Sequence, residues 1–433
     1  MTNPQRVLVV GATGLIGSAV AARLSAEGHD VIGLARRIEG ASLPPVTWVH
    51  FDIARAIQPD AWSDILSRAD AVVNCAGLLQ DSPRQSTARV HVDGPAALFR
   101  ACERQGVRRV IHLSAVGVDR ETPTEFSRTK LAGDEALMAL DLDWVILRPS
   151  VVVGPSAYGG SALVRGLAAL PVLPVMPGTA PLQVVHLDDL LDAIVFFLRP
   201  DTPSRQAVEV VGPRRYTLGE LIALFRKWMR WPPARQVRVP AWLAGLIYRL
   251  GDFAGWLGWR PPIRSTAQRE MVRGAIGDPA RLTELTGIKP RELETVLARA
   301  PASVQERWFA KLYLLKGLVF SVFPLFWIAT GIISLGPGRE RGINLVMEGG
   351  LSKAAATFLT ISGALADIVI GLAIAFRPTA RQGLYAALLI SIVYTIIGAI
   401  LVPRLWVDPL GPMLKFAPVM VFNLVALAIL EDR

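Results

Sequence analysis

Three glycines stand at the first point of the chain where backbone could close around a phosphate. Residues 7–10 are the apolar run Val-Leu-Val-Val, and Gly11-Ala-Thr13-Gly14-Leu15-Ile16-Gly17 follows directly. In a strand–turn–helix, Gly11 permits the tight turn, Gly14 lets backbone approach a pyrophosphate, and Gly17 lets the helix pack on the strand. The amides at the helix start, around Thr13, Leu15 and Ile16, would then face the phosphates. A second strand pattern ends at Leu34-Ala35-Arg36-Arg37. An acidic residue there would bind both hydroxyls of an adenosine ribose, whereas Arg36 and Arg37 suit a 2′-phosphate. Arg36 lies about 20 residues past the turn, the distance at which that ribose is read. This favours NADP(H) over NAD(H). The competing reading is two solvated surface charges. Asp52, after the third strand, is a candidate for the adenine amino group. Asn74-Cys75-Ala76-Gly77, after the fourth, would line the middle of the cofactor.

The elements that must position these residues follow from periodicity. Short β-branched runs at 7–10, 30–34, 47–50, 71–75, 107–113, 144–147 and 207–211 alternate with helical patterns at 15–27, 86–105 and 125–140. Strands separated by helices predict an α/β doubly wound parallel sheet of the Rossmann type. That places the glycine turn at a strand–helix junction, the context that gives such a triplet meaning.

From 218 to 307 the strand signal disappears. Helical pieces at 218–231, 242–259 and 290–300 are cut by prolines, and five of the eleven tryptophans fall here: Trp228, Trp231, Trp242, Trp256 and Trp259. Either this is a helical cap with its indoles packed inward, or 242–259 lies on a bilayer surface, where amphipathic rings prefer the headgroup zone.

The composition is 52% hydrophobic and 19% charged over 433 residues, below the roughly 25% charged residues of a soluble domain. The deficit is concentrated in 312–433, which holds 9 Lys and Arg and 6 Asp and Glu. Four charge-poor segments at 317–338, 354–376, 382–403 and 410–430 are each about 20 residues, enough to cross the hydrocarbon core. The expected domains are 1–215, a helical cap and juxtamembrane segment at 216–311, and an all-α four-helix transmembrane domain at 312–433. Asp367 is the one ionisable residue in the interior of a segment, Lys415 standing near the start of the last. It is either a functional carboxylate or a protonated group bonded to a neighbouring helix through Ser362 or Tyr394.

The net charge of +10 has no polybasic block, so nucleic acid is not an expected partner. A basic face toward anionic lipid fits better. Cys75 and Cys102 are too few for a disulfide framework or a zinc cluster, and no metal is expected. No secretory signal is visible. The nucleotide site is therefore expected in the cytosol, on a multi-pass protein of the inner (cytoplasmic) membrane. Four spans would return the C-terminus to the same side. Arg307, Lys311, Lys316, Arg377, Arg381 and Arg433 would lie inside, against Arg339, Arg341, Lys353, Arg404 and Lys415 outside.

GATGLIG, NCAG, HLSAVGVD, FSRTKLAGDEAL and LRPSVVVGP stand in an order and spacing that resembles the short-chain dehydrogenase/reductase superfamily. More closely, the chain is similar to the atypical branch containing the Rossmann-type accessory subunit of mitochondrial complex I and its bacterial relatives. The resemblance covers residues 6–307. The tail, with its 327–331 stretch and Asp367-Ile-Val-Ile-Gly371, resembles DoxX-like membrane domains.

The resemblance implies a Ser–Tyr–Lys chemistry. Ser holds the substrate oxygen, Tyr exchanges the proton, and Lys binds the ribose and lowers the Tyr pKa. Ser114 and Lys130 match two of the three. Four residues before Lys130, where the Tyr belongs, stands Phe126, which has no proton to give. Tyr158 and His186 are the substitute acids the sequence offers. His186 competes with a helix-cap reading, and Ser114 with a strand-end hydroxyl bonded to backbone. Two function classes follow, beside a third, a membrane structural protein with a vestigial Rossmann domain, which the intact glycine turn argues against. One is an oxidoreductase or isomerase on a lipid-like or quinone-like membrane substrate. The other is a non-catalytic NADP(H)-binding scaffold or sensor of a membrane complex.

Overall fold

The computed structural model describes residues 4–38, 45–82 and 85–430; Arg433 lies outside the described residues. The chain forms two compact units, Met1–Asp252 with Pro262–Ala310, and Phe253–Pro261 with Lys311–Arg433.

The strands of the first unit are β1 (Arg6–Val10), β2 (Asp30–Ala35), β3 (Val46–His50), β4 (Ala71–Asn74), β5 (Arg109–Leu113), β6 (Asp143–Pro149), β7 (Val151–Val153), β8 (Val172–Val175), β9 (Leu182–His186), β10 (Gln206–Val210), β11 (Arg215–Tyr216) and β12 (Arg235–Arg238). Seven make one parallel sheet in the order β10-β6-β5-β4-β1-β2-β3. Parallel neighbours need crossover helices. Those here are α1 (Leu15–Ala26), α2 (Ser63–Leu66), α3 (Gly94–Gln105), α4 (Glu125–Met138), α5 (Gly159–Ala168) and α6 (Leu187–Leu198).

The pleat of β1 explains its composition. Val7 and Val9 join one core with Ala21, Leu190 and Ile194, while Leu8 and Val10 join the other with Trp62, Phe99 and Leu137. Helices cover both faces, so the strand reads as a continuous apolar run rather than an alternating one. Cys102 belongs to the second core, and burial pushes its thiol up to about 12. The strand order reverses at β1, which pairs with β2 on one side and β4 on the other. The crevice above the C-terminal ends of β1 and β4 is where open α/β sheets receive ligands.

The segment beyond 218 contains α7 (Leu218–Trp228), α8 (Ala241–Trp256), α9 (Ser265–Arg273), α10 (Ala280–Thr286) and α11 (Leu293–Arg299). The expectation of helix alone needs correction, because β12 pairs in parallel with β8. Its residues, Arg-Gln-Val-Arg, are all exposed, so no apolar alternation marks it in the sequence. The tryptophans divide. Trp228 is half-buried, with its indole N–H donating to the Ala300 carbonyl at 2.6 Å. Trp242 and Trp256 are 71% and 66% exposed, so they are not packed inward.

The second unit carries α12 (Val304–Leu335, which starts in the first unit), α13 (Arg339–Met347), α14 (Lys353–Ala375), α15 (Ala380–Leu401) and α16 (Phe416–Ile429). Among the described residues, α12, α14 and α15 are long and apolar enough to cross a membrane. The expected fourth span is not. α16 has 14 residues, about 21 Å of helix at 1.5 Å per residue against a core of about 30 Å. Gly411, at φ +57°, and Pro412 hold the start of that segment in turns. The expectation that four spans return the C-terminus to its starting side therefore falls. α12 and α14 interlock at two glycines. A Cβ on Gly331 would lie 2.4 Å from the Ala364 carbonyl oxygen, and one on Gly371 would lie 2.8 Å from that of Pro324. Asp367, 3% exposed, accepts from the Tyr394 hydroxyl at 2.9 Å.

Candidate dinucleotide site

The glycine turn is forced by its neighbours. Gly11 sits at φ +78°, where a Cβ would approach the Ala76 amide nitrogen to 3.0 Å. A Cβ on Gly17 would lie 2.2 Å from the Gly11 carbonyl oxygen. By contrast, a Cβ on Gly14 would meet only that oxygen, at 3.2 Å. The Gly11 and Ala12 amides both donate to the Leu34 carbonyl at 3.0 Å, which ties the turn to the end of β2. Gly14 caps α1 with no side-chain bond. The first-turn amides, at Leu15 and Ile16, have no intrahelical acceptor and carry the positive end of the helix dipole. Thr13 is exposed beside them. An approaching anion therefore meets backbone N–H groups with no side chain in the way, so the turn fits the diphosphate of a dinucleotide.

The β4 end builds the next wall. The Cys75 amide donates to the Val10 carbonyl at 2.9 Å and continues the β1–β4 ladder. Asn74 is fully buried. Its Oδ1 accepts from the Ala76 amide and its Nδ2 lies 3.1 Å from His112 Nδ1. Gly77 is exposed, and a Cβ there would meet Lys130 Nζ at 3.6 Å.

Lys130 comes from α4, whose start is fixed by a capping box between Thr124 and Ser127 and by Glu270 of α9 bonding the Thr124 hydroxyl. The Lys130 ammonium is buried and donates to the Leu113 carbonyl at 2.7 Å and the Ala76 carbonyl at 3.4 Å. Desolvation pushes its pKa down to about 8, against the pull of Asp134 and Cys75. Two of its three protons are thus spent at the ends of β4 and β5. Phe126, one turn earlier on the same helix face, is half-buried and meets His91 edge-on at 5.8 Å between ring centroids.

Ser114 adjoins Leu113 at the end of β5. Its hydroxyl donates to Asp134 Oδ2 at 2.9 Å, so the strand-end reading is corrected in its partner: a carboxylate, not backbone. Asp134 is fully buried one turn beyond Lys130. The same oxygen accepts from Arg148 of β6 at 3.1 Å, and Arg148 also pairs with Asp119. Burial pushes the Asp134 carboxyl up, while Ser114, Arg148 and Lys130 pull it down. Asn74 donates to His112 Nδ1, so the neutral ring carries its proton on Nε2. That nitrogen stands 3.6 Å from Asp134 Oδ1. Burial holds His112 well below the usual histidine range.

His91 was not picked out in the sequence. It sits in a π-helical turn, Arg89–Asp93, just before α3. Its Nε2 accepts from the Leu78 amide at 2.9 Å and its Nδ1 faces the Thr129 hydroxyl at 2.8 Å. Burial, then Lys130 and His112, push it down to about 2. A neutral ring therefore fastens the loop after β4 to α4.

The remaining expected residues lie at other strand and helix ends. Arg36 and Arg37 are exposed immediately after β2. Asp52 Oδ1 accepts from the Ala54 amide at 3.1 Å in the turn after β3. Tyr158 is 41% exposed at the start of α5, where its amide donates to Ser161. His186 caps α6, with Nδ1 accepting from the Asp188 amide at 3.3 Å, which is the helix-cap reading. Glycine turn, Gly77, Lys130 and Ser114 thus form one connected wall, and His186 is engaged instead at the start of α6.

Residues 7–212 match the NAD dependent epimerase/dehydratase family, and residues 324–424 match the DoxX-like family. Ceramide reductase of Caulobacter vibrioides is 28% identical over 50% of this chain and 68% of its own. The mitochondrial 40 kDa subunit of NADH-ubiquinone oxidoreductase from Neurospora crassa is 24% identical over 66% of this chain and 76% of its own. A dTDP-6-deoxy-L-talose 4-dehydrogenase (NAD(P)(+)) of Kitasatospora kifunensis is 30% identical over 45% and 70%. Coverage is uneven, since uncharacterized mycobacterial relatives match over 23% of their length. Among solved structures, the Bordetella bronchiseptica enzyme WbmG in complex with NAD superposes with a TM-score of 0.53 at 18% identity, over 68% of this chain and 92% of that one. The chain belongs to the NAD dependent epimerase/dehydratase family, in the atypical short-chain dehydrogenase/reductase branch related to complex I subunits, and it carries a DoxX-like membrane domain at its C-terminal end.

Proposed function

We propose that the protein is a membrane-anchored NADP(H)-binding oxidoreductase acting on a lipid-like or quinone-like carbonyl compound that partitions into the bilayer. The observation that carries this is the buried Lys130 ammonium beside an open glycine turn, in a chain that also carries DoxX-like membrane helices. Gly11, Gly14 and Gly17 cradle the diphosphate, Lys130 holds the ribose, and Arg36 and Arg37 meet a 2′-phosphate. Asp52 reaches the adenine, and the Cys75–Gly77 backbone lines the middle. The bound nucleotide supplies the hydride. The chain must supply the proton, and Phe126 cannot. Tyr158 or His186 would have to swing in, so Tyr158→Phe or His186→Ala abolishes turnover. The kinship with a ceramide reductase supports a long-chain substrate. The nucleotide site then faces the cytosol, where nicotinamide nucleotides reside.

The test is titration of the detergent-solubilised full chain with NADPH and NADH, beside Arg36→Ala. NADPH oxidation is then followed with long-chain keto lipids and quinones in vesicles. Tight NADPH binding that weakens in Arg36→Ala supports the cofactor assignment. Absence of binding by either nucleotide overturns it.

A second reading is favoured by Phe126 together with the Ser114 hydroxyl donating to Asp134. In it the protein holds NADP(H) without turning it over and serves as a subunit of a membrane complex. The kinship with complex I subunits supports that. It predicts tight binding, no oxidation with any acceptor, and a partner that co-purifies with the membrane helices.

A further inference from the structure

Along α8, five large apolar side chains lie exposed on one side: Trp242, Leu246, Leu250, Phe253 and Trp256, between 47% and 71% accessible. At 100° per residue they fall within an arc of roughly 120°. Ala244 and Tyr248, on the opposite side, are buried. A water-soluble helix does not spend its solvent face on two indoles, a phenyl ring and two leucines. Indoles stand at both ends of the stripe and aliphatic groups between them. Arg249 is exposed among them. The one carboxylate of the helix, Asp252, bonds Arg264 and Ser265.

The residues that follow this helix are tied to the end of a candidate span. Phe253 and Trp256 already belong to the membrane unit. Just beyond them, the Trp259 indole N–H donates to the Ala375 carbonyl at 2.7 Å, and the Arg377 guanidinium lies 5.5 Å from its ring centroid. The Arg377 amide donates to the Leu257 carbonyl at 3.0 Å. Ala375 is the last residue of α14, a helix long enough to span. The end of a span marks the level of the headgroups. Within that unit, Phe253 and Trp256 therefore adjoin a segment tied to that level.

We infer that α8 is an interfacial helix whose Trp242–Trp256 stripe lies in the headgroup–acyl boundary of the bilayer, with Arg249 reaching up to anionic lipid phosphates. Aromatic rings at each end and a snorkelling cation between fit that layer better than a protein groove. This inference does not depend on the cofactor reading.

The test uses the full chain in nanodiscs containing phosphatidylglycerol. A background of Cys75→Ser with Cys102→Ala carries one new cysteine labelled with an environment-sensitive fluorophore. The positions are Leu246→Cys and Leu250→Cys on the stripe, Arg269→Cys on α9 as a solvent control, and Leu389→Cys on α15 as a lipid control. Stripe labels should shift to the blue and be quenched by lipids brominated near the glycerol end. The Arg269 label should be unaffected. No quenching at 246 and 250, with Leu389 quenched, overturns the inference and assigns the face to a second copy or another protein. If labelled variants fail to fold, native fluorescence decides. Trp242→Phe with Trp256→Phe should then remove part of the tryptophan emission that the same lipids quench, and no change overturns the inference.

Discussion

The hydroxyl of Ser114 and the carboxylate of Asp134 meet at 2.9 Å, with the hydroxyl as donor. A serine that gives its proton to a buried carboxylate offers an incoming carbonyl oxygen lone pairs rather than a hydrogen bond. Asp134→Asn keeps the shape of the group and offers Arg148 a neutral partner. Breaking one side of a buried ion pair costs about 3–5 kcal/mol, and Asp119 still pairs with Arg148. A destabilisation toward the lower end of that range is expected, read as a fall in unfolding temperature of the full chain.

Phe126→Tyr is the informative gain-of-function change. The new hydroxyl would stand one helical turn from Lys130, whose ammonium favours a phenolate. General acids contribute about 100-fold to 10,000-fold. NADPH oxidation with a keto-lipid acceptor should rise by about 100-fold if the site otherwise binds productively. No increase, with nucleotide binding intact, would show that the substrate oxygen is presented elsewhere.

Gly17→Ala tests the turn. The added methyl would sit 2.2 Å from the Gly11 carbonyl oxygen, a backbone atom that cannot rotate away. Overpacking of this kind costs about 1–3 kcal/mol, and here it also displaces the amides proposed to receive the diphosphate. Calorimetry should find nucleotide binding lost while the far-ultraviolet dichroism stays native.

Lys130 predicts a pH dependence of stability. Its folded pKa of about 8 lies below the free value of 10.5. Below pH 8 both states hold the proton, and the folded state bears the full desolvation penalty. Between 8 and 10.5 the unfolded chain keeps a proton that the folded chain has released. Stability from this group therefore rises with pH across that window. Under the proposed role of Lys130 at the ribose, nucleotide affinity should move the other way, because its ammonium discharges above pH 8. Lys130→Met should flatten both profiles in denaturation and binding series run from pH 7 to 10.

Much of the site wall could be read from local sequence. Gly11 and Gly17 announce themselves because a turn this tight tolerates no Cβ. Phe126 and Lys130 share a helix face by spacing alone. Asp134 lies one further turn along that face, and that was the available signal for it. Its meeting with Ser114 and Arg148 joins three elements that come together only when the sheet closes. His91 depends on a π-helical turn, a change of register that a 3.6-residue period does not reveal. The same holds outside the site. β12 escaped notice because all four of its residues are exposed, and the fourth apolar segment looked long enough until Gly411 and Pro412 took its first turns.

The reciprocal notches of Gly331 and Gly371 set an order of events during synthesis. A chain halted after α12 would present the Gly331 notch to acyl chains, which cannot fill it as a backbone does. Only once α14 has entered the bilayer can Ala364 cover Gly331 and Pro324 cover Gly371. The α12–α14 pair therefore waits for α14, and the short α13 between them packs against α14 at the same stage. A truncation that removes α14 should leave α12 a target for membrane quality control rather than a stable anchor.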